Sequence, residues 1–192
     1  MRLSEISSII VGHPFRGKIP EAKGTGVRAV QMKDISLSTG VDWSSCNETE
    51  ITGKREPDWL LPGDLLFAAR GSHNYTVLID QIPQGTRAVA APHFYLLRCK
   101  RPDVLPEYLA WFLNQKPSQR YFQREAEGSL TKSIRRTVLE HTPIAVPSLE
   151  RQRGIIRLAA TLKAEQQLIE QLKRNSETMM NTIANDLLAG SK

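Results

Sequence analysis

From Leu149 to Leu188 the chain has no proline and a single early glycine, Gly154, and its apolar residues recur with heptad steps. Ile155, Leu158, Leu162, Ile169, Leu172, Met179 and Ile183 lie three, four or seven residues apart. That alternation gathers them into one seam along an α-helix. At ~1.5 Å per residue the segment predicts a rod of roughly 60 Å. A globule built from the preceding 147 residues is only about 30 Å across. The sequence offers no second helix of comparable length, so the seam is expected to pair with a helix of another chain or of a second copy. Glu165, Ser176 and Asp186 interrupt the seam at expected apolar positions, where polar residues weaken a coiled coil but fix its register and partner.

Upstream the pattern changes. VRAVQM (27–32), DLLFAAR (64–70), YTVLID (75–80) and HFYLLRC (93–99) are short apolar or β-branched runs that read as strands. Gly24–Gly26, Ser38–Gly40, Pro62–Gly63–Asp64 and Pro83–Gly85 supply turns between them. LPEYLAWFLNQ (105–115) suits an amphipathic helix opened by Pro106, and SQRYFQREAE (118–127) a second one begun by Ser118 and stopped by Gly128. Pro143 and Pro147 make TPIAVPS (142–148) extended. Ser148 is placed to cap the long helix, Glu150 favours its positive end, and Gly190 is placed to stop it. The expected fold class is therefore α+β: a mixed α/β globular domain over 1–147, followed by a long coiled-coil helix over 148–192. Trp43, Trp59 and Trp111 are expected in the core.

Charge and cysteine usage narrow the function classes. The net charge is +6, a modest excess that permits contact with phosphate backbones. No apolar run reaches the ~18 residues of a membrane span, and the N-terminus lacks a signal-peptide pattern, so the expected setting is cytoplasmic with no membrane partner. Cys46 and Cys99, the only cysteines, make neither a disulfide framework nor a zinc site. His13, His73, His93 and His141 lack metal-ligand spacing, so no metal is expected. The sequence carries no phosphate-binding loop, no nucleophile elbow, no H-E-x-x-H pair and no N/D-P-P-Y/F loop to receive a flipped base. Asp58 and Asp103 each follow a proline but lack the acidic-x-Lys element of a magnesium nuclease. No catalytic residue is assigned, and an autonomous nuclease or methyltransferase is disfavoured.

Two stretches have the chemistry of contact surfaces. In FAARGSHNY (67–75), Arg70, Ser72, His73, Asn74 and Tyr75 place a cation, hydroxyl and amide groups and an aromatic on one loop. Arginine reads guanine bidentately and asparagine reads adenine. In GSLTKSIRR (128–136), Ser129, Thr131, Lys132, Ser133, Arg135 and Arg136 follow Gly128. Hydroxyl and cationic donors in a loop suit phosphate oxygens, which position a protein on a duplex. Lys33, with Gln31 and Asp34, is a further candidate after the first strand.

Taken in order, RLSEISSIIVG, VRAVQMKDISLSTG, LLPGDLLFAARGS, HFYLLRCKRPDVLPEYLAWFLNQKPSQRYF, EGSLTKSIRRTVLEHTPIAVPSLERQRGII and LIEQLKRNSETMMNTIANDLLAG resemble the specificity (S) subunit of type I restriction-modification enzymes. The likeness runs over nearly the whole chain, and the block around 127–156 is its most specific part. In that family such a block closes a target recognition domain and enters a long helix. The usual subunit carries two recognition domains and two helices, whereas this chain has one of each and resembles a half-size subunit.

The resemblance implies a non-catalytic subunit that grips one half of a bipartite double-stranded DNA target. A second half, identical or different, would pair with it through an antiparallel coiled coil. With identical halves the target is expected to be an inverted repeat around an unspecified spacer. A methyltransferase (modification) subunit would bring S-adenosylmethionine and methylate adenine, and a motor-nuclease (restriction) subunit would bring ATP and magnesium; none of these cofactors is expected on this chain. The alternative reading is a stand-alone dimeric DNA-binding regulator or coiled-coil adaptor.

Overall fold

The computed structural model describes residues 1–15, 17–51, 56–71, 73–126 and 132–189, with Lys132 described by its backbone alone. In chain order, a helical turn α1 (Leu3–Ile6) enters β1 (Ser7–Val11), and β2 (Val27–Val30) is followed by a 3₁₀ turn over Met32–Asp34. Next come β3 (Ile35–Ser36), β4 (Gly40–Val41), β5 (Asn47–Glu48), β6 (Leu65–Ala68), β7 (Arg70–Gly71) and β8 (Thr76–Leu78). Then follow β9 (Arg87–Ala90), β10 (Phe94–Cys99), α2 (Pro106–Leu113), α3 (Lys116–Glu125), β11 (Lys132–Ser133), α4 (Arg136–Glu140) and α5 (Leu149–Ala189).

The strands form an antiparallel sheet ordered β1-β10-β6-β8 and a sheet ordered β5-β2-β9, in which β2 runs parallel to β9. Two short ribbons, β3-β4 and β11-β7, complete the pairing. β6 is the keystone because all four of its residues are buried. Successive side chains on a strand point to opposite faces. Leu65 and Phe67 accordingly join Leu3, Ile6, Leu97, Leu109, Leu113, Phe122 and Leu139 in the helix-covered core, where the Phe67 and Phe122 rings meet edge to face at 5.0 Å. Leu66 and Ala68 join Val30, Ile35, Val77, Ile79, Ala88, Phe94 and Leu96 in a second core.

The turn entering β6 is held by an ion pair whose carboxylate is buried. Asp64 accepts two hydrogen bonds from Arg98, at 2.8 and 2.7 Å, and a third from Leu61 N–H. Asp64 N–H closes the Leu61–Asp64 turn on Leu61 O at 3.0 Å. Gly63 sits at φ 90°, which the third position of a type II turn requires after Pro62.

Three expectations shift. The second helix begins at Lys116, not Ser118. Ser118 is buried and its hydroxyl donates to Phe112 O at 3.0 Å, while Gln119 donates to Leu113 O, so both side chains cap the end of α2. The run expected as one strand over 64–70 ends at Ala68, and Arg70 moves to a separate ribbon. Trp43, Trp59 and Trp111 are only half-buried: Trp43 packs against the second core, while Arg87 lies over the Trp59 ring at 3.6 Å from its centroid. The segment over 142–148 is extended as expected, bridging Arg2 through Pro143.

The chain divides into two compact units, Met1–Gln152 and Arg153–Lys192. The first turn of α5 thus belongs to the globular unit. Ser148 caps it weakly, its Oγ accepting from Arg151 N–H at 3.4 Å. Gln152, fully buried, anchors it: its amide donates to Asp103 O (2.7 Å) and Pro147 O (2.8 Å), and its carbonyl accepts from Leu105 N–H (2.9 Å). In the second unit Leu158, Leu162, Ile169, Leu172, Met179 and Ile183 are 46–61% exposed, and Ile155 is half-buried. Gly190 lies outside the described residues. No helix among the described residues is long and apolar enough to cross a membrane.

Replacing Gln152 by Ala removes three hydrogen bonds and leaves buried backbone groups unsatisfied. At about 1 kcal/mol per bond, the Gln152→Ala chain is expected to lose roughly 2–4 kcal/mol in urea unfolding. An unchanged midpoint and slope would show that water replaces the side chain without penalty.

Candidate nucleic-acid interface

The two contact stretches are more than 60 residues apart in sequence, yet they form one ribbon. β7 and β11 pair antiparallel, with Ser133 opposite Arg70 and Lys132 opposite Gly71. Ile134 N–H extends the pairing to Ala69 O at 2.9 Å. Ile134 itself is buried in the helix-covered core, so the ribbon is pinned from beneath. Arg70 is exposed at the end of the chain segment that leaves β6, and Arg135 and Arg136 are exposed just beyond β11. Arg136 donates to Glu140 at 2.7 Å across one turn of α4. The ribbon therefore sets the exposed Arg70 beside the strand that runs on to the exposed Arg135 and Arg136.

Gly71 lets the chain turn there. Its φ of +135° is closed to ordinary side chains, and the Met32 methyl lies 3.6 Å from where a Cβ would stand. The segment after β2 is thus brought against the ribbon, and Tyr75 reinforces this by donating to Ile35 O at 3.4 Å. Three candidate stretches distant in sequence converge.

Not every candidate side chain is available for contact. Asn74 is buried and its amide donates to Ala68 O at 2.9 Å, so it shapes the hairpin rather than presenting an amide at its surface. Lys33 donates to Asp34 (2.6 Å), Ser45 O (2.8 Å) and Asn47 (3.4 Å), which engages all three ammonium donors. Its partner Asp34 is buried, also accepting from Gln31 N–H and the Ser45 hydroxyl, and so braces the 3₁₀ turn. The Tyr75 ring is half-buried in the second core, and burial pushes its phenol above the ordinary value. His73 is exposed. Ser72, Ser129 and Thr131 lie outside the described residues, as does the Lys132 side chain.

Asn114, which the sequence did not single out, holds the far edge of the hairpin. Its carbonyl accepts from Thr76 N–H and its amide donates to Thr76 O, both at 2.8 Å. The side chain substitutes for a neighbouring strand along the β8 edge. No local pattern in the sequence announces such a long-range clamp.

The thiols fit no catalytic role. Burial pushes Cys46 up to about 12 and Cys99 up to about 11, and the thiolate is the nucleophilic form. Among the described residues, no group of three or more His, Cys, Asp or Glu is placed to hold a metal ion.

No family model and no curated protein matches the chain. Solved structures do. An HsdS subunit from Thermoanaerobacter tengcongensis matches over 91% of this chain and 38% of its own, at 24% identity and a TM-score of 0.58. The S subunit of a type I restriction-modification system from M. genitalium matches over 84% and 37%, at 13% identity and 0.53. A chain from a structure of type I system assembly and conformational transition matches over 91% and 43%, at 19% identity and 0.59. This chain has the fold of a type I specificity subunit. It spans about two-fifths of the length of those solved chains. The specificity-subunit fold comprises here the mixed α/β unit and the long C-terminal helix α5.

Two outcomes check this geometry. Asn114→Ala frees both Thr76 backbone groups and is expected to cost about 1–3 kcal/mol, with faster amide exchange at Thr76; unchanged exchange would mean the clamp is dispensable. At pH 8 Cys46 and Cys99 should react with a maleimide only slowly until denaturant is added, and rapid labelling of the native chain would contradict the burial of Cys46 and the raised thiol of the half-buried Cys99.

Proposed function

We propose that this chain is the DNA-recognition subunit of a type I restriction-modification complex, itself non-catalytic, directing partner subunits to a bipartite target. The observation that carries the reading is the β7–β11 ribbon, which pairs two polar, basic stretches on a specificity-subunit fold. On this reading Arg70, at the hairpin, meets base edges, because a guanidinium can donate bidentately to guanine. Lys132, Arg135 and Arg136 meet phosphates, with Ser129, Thr131 and Ser133 as supporting donors. His73 and Ser72 flank the reading position.

The exposed seam on α5 supports the second half of the proposal. Ile155, Leu158, Leu162, Ile169, Leu172, Met179 and Ile183 form the face that pairs with a second half-subunit. Fully burying each leucine or isoleucine stabilises by about 1.5–3 kcal/mol relative to exposure, so an unpartnered helix of this kind is a poor end state. An antiparallel pair places two recognition units at opposite ends, each facing one half-site. The methyltransferase subunit binding this assembly would supply S-adenosylmethionine and methylate adenine, and a motor-nuclease subunit would cleave.

The test is co-expression with a methyltransferase subunit of such a system, followed by binding of that complex to a library of bipartite duplexes. Co-elution and salt-sensitive, sequence-selective binding are expected. A chain that stays monomeric at high concentration and ignores the subunit would overturn the proposal. Tight selective binding by the chain alone would instead indicate a stand-alone dimeric regulator. Within the complex, Arg70→Ala is expected to relax sequence preference by about 1–3 kcal/mol at one base pair, while Lys132→Ala weakens binding to all sequences alike. Equal effects of both changes on every sequence would place the readout on another loop.

A further inference from the structure

α3 carries a feature that its own folding does not explain. Lys116, Arg120 and Arg124 recur every fourth residue and are all exposed, forming one cationic ridge. The opposite face is the packing face: Phe122 and Ser118 are buried and Tyr121 is half-buried. Like charges four residues apart on a helix repel. Lys116 also stands in the first turn, where the helix dipole disfavours a cation and where no acidic residue compensates. Only Arg124 is relieved within the helix, by donating to Glu125 at 2.9 Å and by lying over the Tyr121 ring at 5.6 Å from its centroid. Among the described residues Lys116 and Arg120 take part in no ion pair. A helix that works against its own electrostatics in three places is a sign of a site selected for something other than stability.

The helix that carries the ridge is tied to the elements that lead into and out of the ribbon. Tyr121 donates to Val138 O at 3.2 Å, tying α3 to α4, whose first residue is Arg136. Phe122 packs on Phe67 of β6, the strand that leads to Arg70. Lys116 to Arg124 spans about 12 Å along the helix. One DNA strand advances roughly 3.4 Å along the duplex axis per phosphate, so that length covers about three to four phosphate steps.

We infer that the Lys116–Arg120–Arg124 ridge is a second DNA-contacting element, binding the phosphate backbone of the duplex whose bases the ribbon reads. This rests on the DNA-recognition reading and adds the helix that fixes the domain on the backbone. The ridge contributes affinity and no sequence preference, since phosphates are common to all sequences. Its charge favours a polyanion with a regular spacing over an acidic protein surface, whose charges follow no such repeat.

The test is the salt dependence of binding to a mixed-sequence 30-base-pair duplex by the full chain in complex with the methyltransferase subunit, for wild type, the charge-removing variant K116Q/R120Q/R124Q and the charge-keeping variant K116R/R120K/R124K. At about 0.9 per phosphate, charge removal is expected to lower the slope of log affinity against log salt by roughly 2–3. The charge-keeping variant should retain it. The thermal midpoint of the charge-removing variant should be unchanged or higher, because repulsion is relieved. An unchanged slope in a folded charge-removing variant overturns the ridge as a DNA contact. So does loss of co-elution with the methyltransferase subunit in the charge-removing variant, which would assign the ridge to an acidic protein surface. If the wild-type complex does not bind the duplex, the DNA-recognition reading fails first.

Discussion

Burial of β6 on both faces is the constraint on which the rest of the globular unit depends. A strand with Leu65, Leu66, Phe67 and Ala68 all inside must be covered twice. The helices α1–α4 cover one face, and the three-stranded sheet with the 3₁₀ turn covers the other. The Asp64–Arg98 pair, whose carboxylate is buried, fixes where the strand starts, because an unpaired carboxylate there would carry a large desolvation penalty. Where the strand ends, the chain emerges as the Arg70 hairpin. The most exposed part of the candidate interface is therefore attached directly to the least exposed element of the fold.

The hairpin is braced by long-range hydrogen bonds to its backbone. Asn74 bonds Ala68 O, Asn114 bonds both backbone groups of Thr76, and Ile134 N–H bonds Ala69 O. These bonds leave the arginines, not the amides, as the outward-facing chemistry. A similar logic applies at the start of α5, where Gln152 satisfies three backbone groups that the Asp103–Leu105 and Pro147 segments would otherwise bury unpaired. Both sites place buried side-chain amides where loops meet regular elements.

Much of the architecture was legible in the residues. The seam from Ile155 to Ile183, the apolar runs around β6, β8 and β10, and the Pro106 helix start are all local patterns of period 3.6 or 2, and the structure places helix and strands there. The start of α3 was misread because Ser118 looks like a helix cap locally, whereas it donates to Phe112 O and closes the helix before it. The tryptophans were misplaced because size and hydrophobicity do not distinguish a core ring from one lying under Arg87. For the interface, residue types singled out two stretches that the structure pairs in one ribbon, but not which side chains are available. Asn74 and Lys33 have the composition of contact residues and the hydrogen bonds of structural ones. The α3 ridge went unread because a four-residue cationic repeat acquires meaning only once the opposite face is known to be buried.

By itself, then, the sequence determined the elements: a seamed helix of about forty residues, a set of short strands, and thiols and histidines without catalytic or metal-binding spacing. Those follow from local periodicity and spacing, which the chain encodes residue by residue. Tertiary structure alone decided that Arg70 and Ser133 stand opposite each other, that Met32 closes over Gly71, and that Asn114 clamps Thr76. Those contacts join segments roughly 38 to 63 residues apart, and pairing across such loops is selected by the whole core rather than by any local pattern.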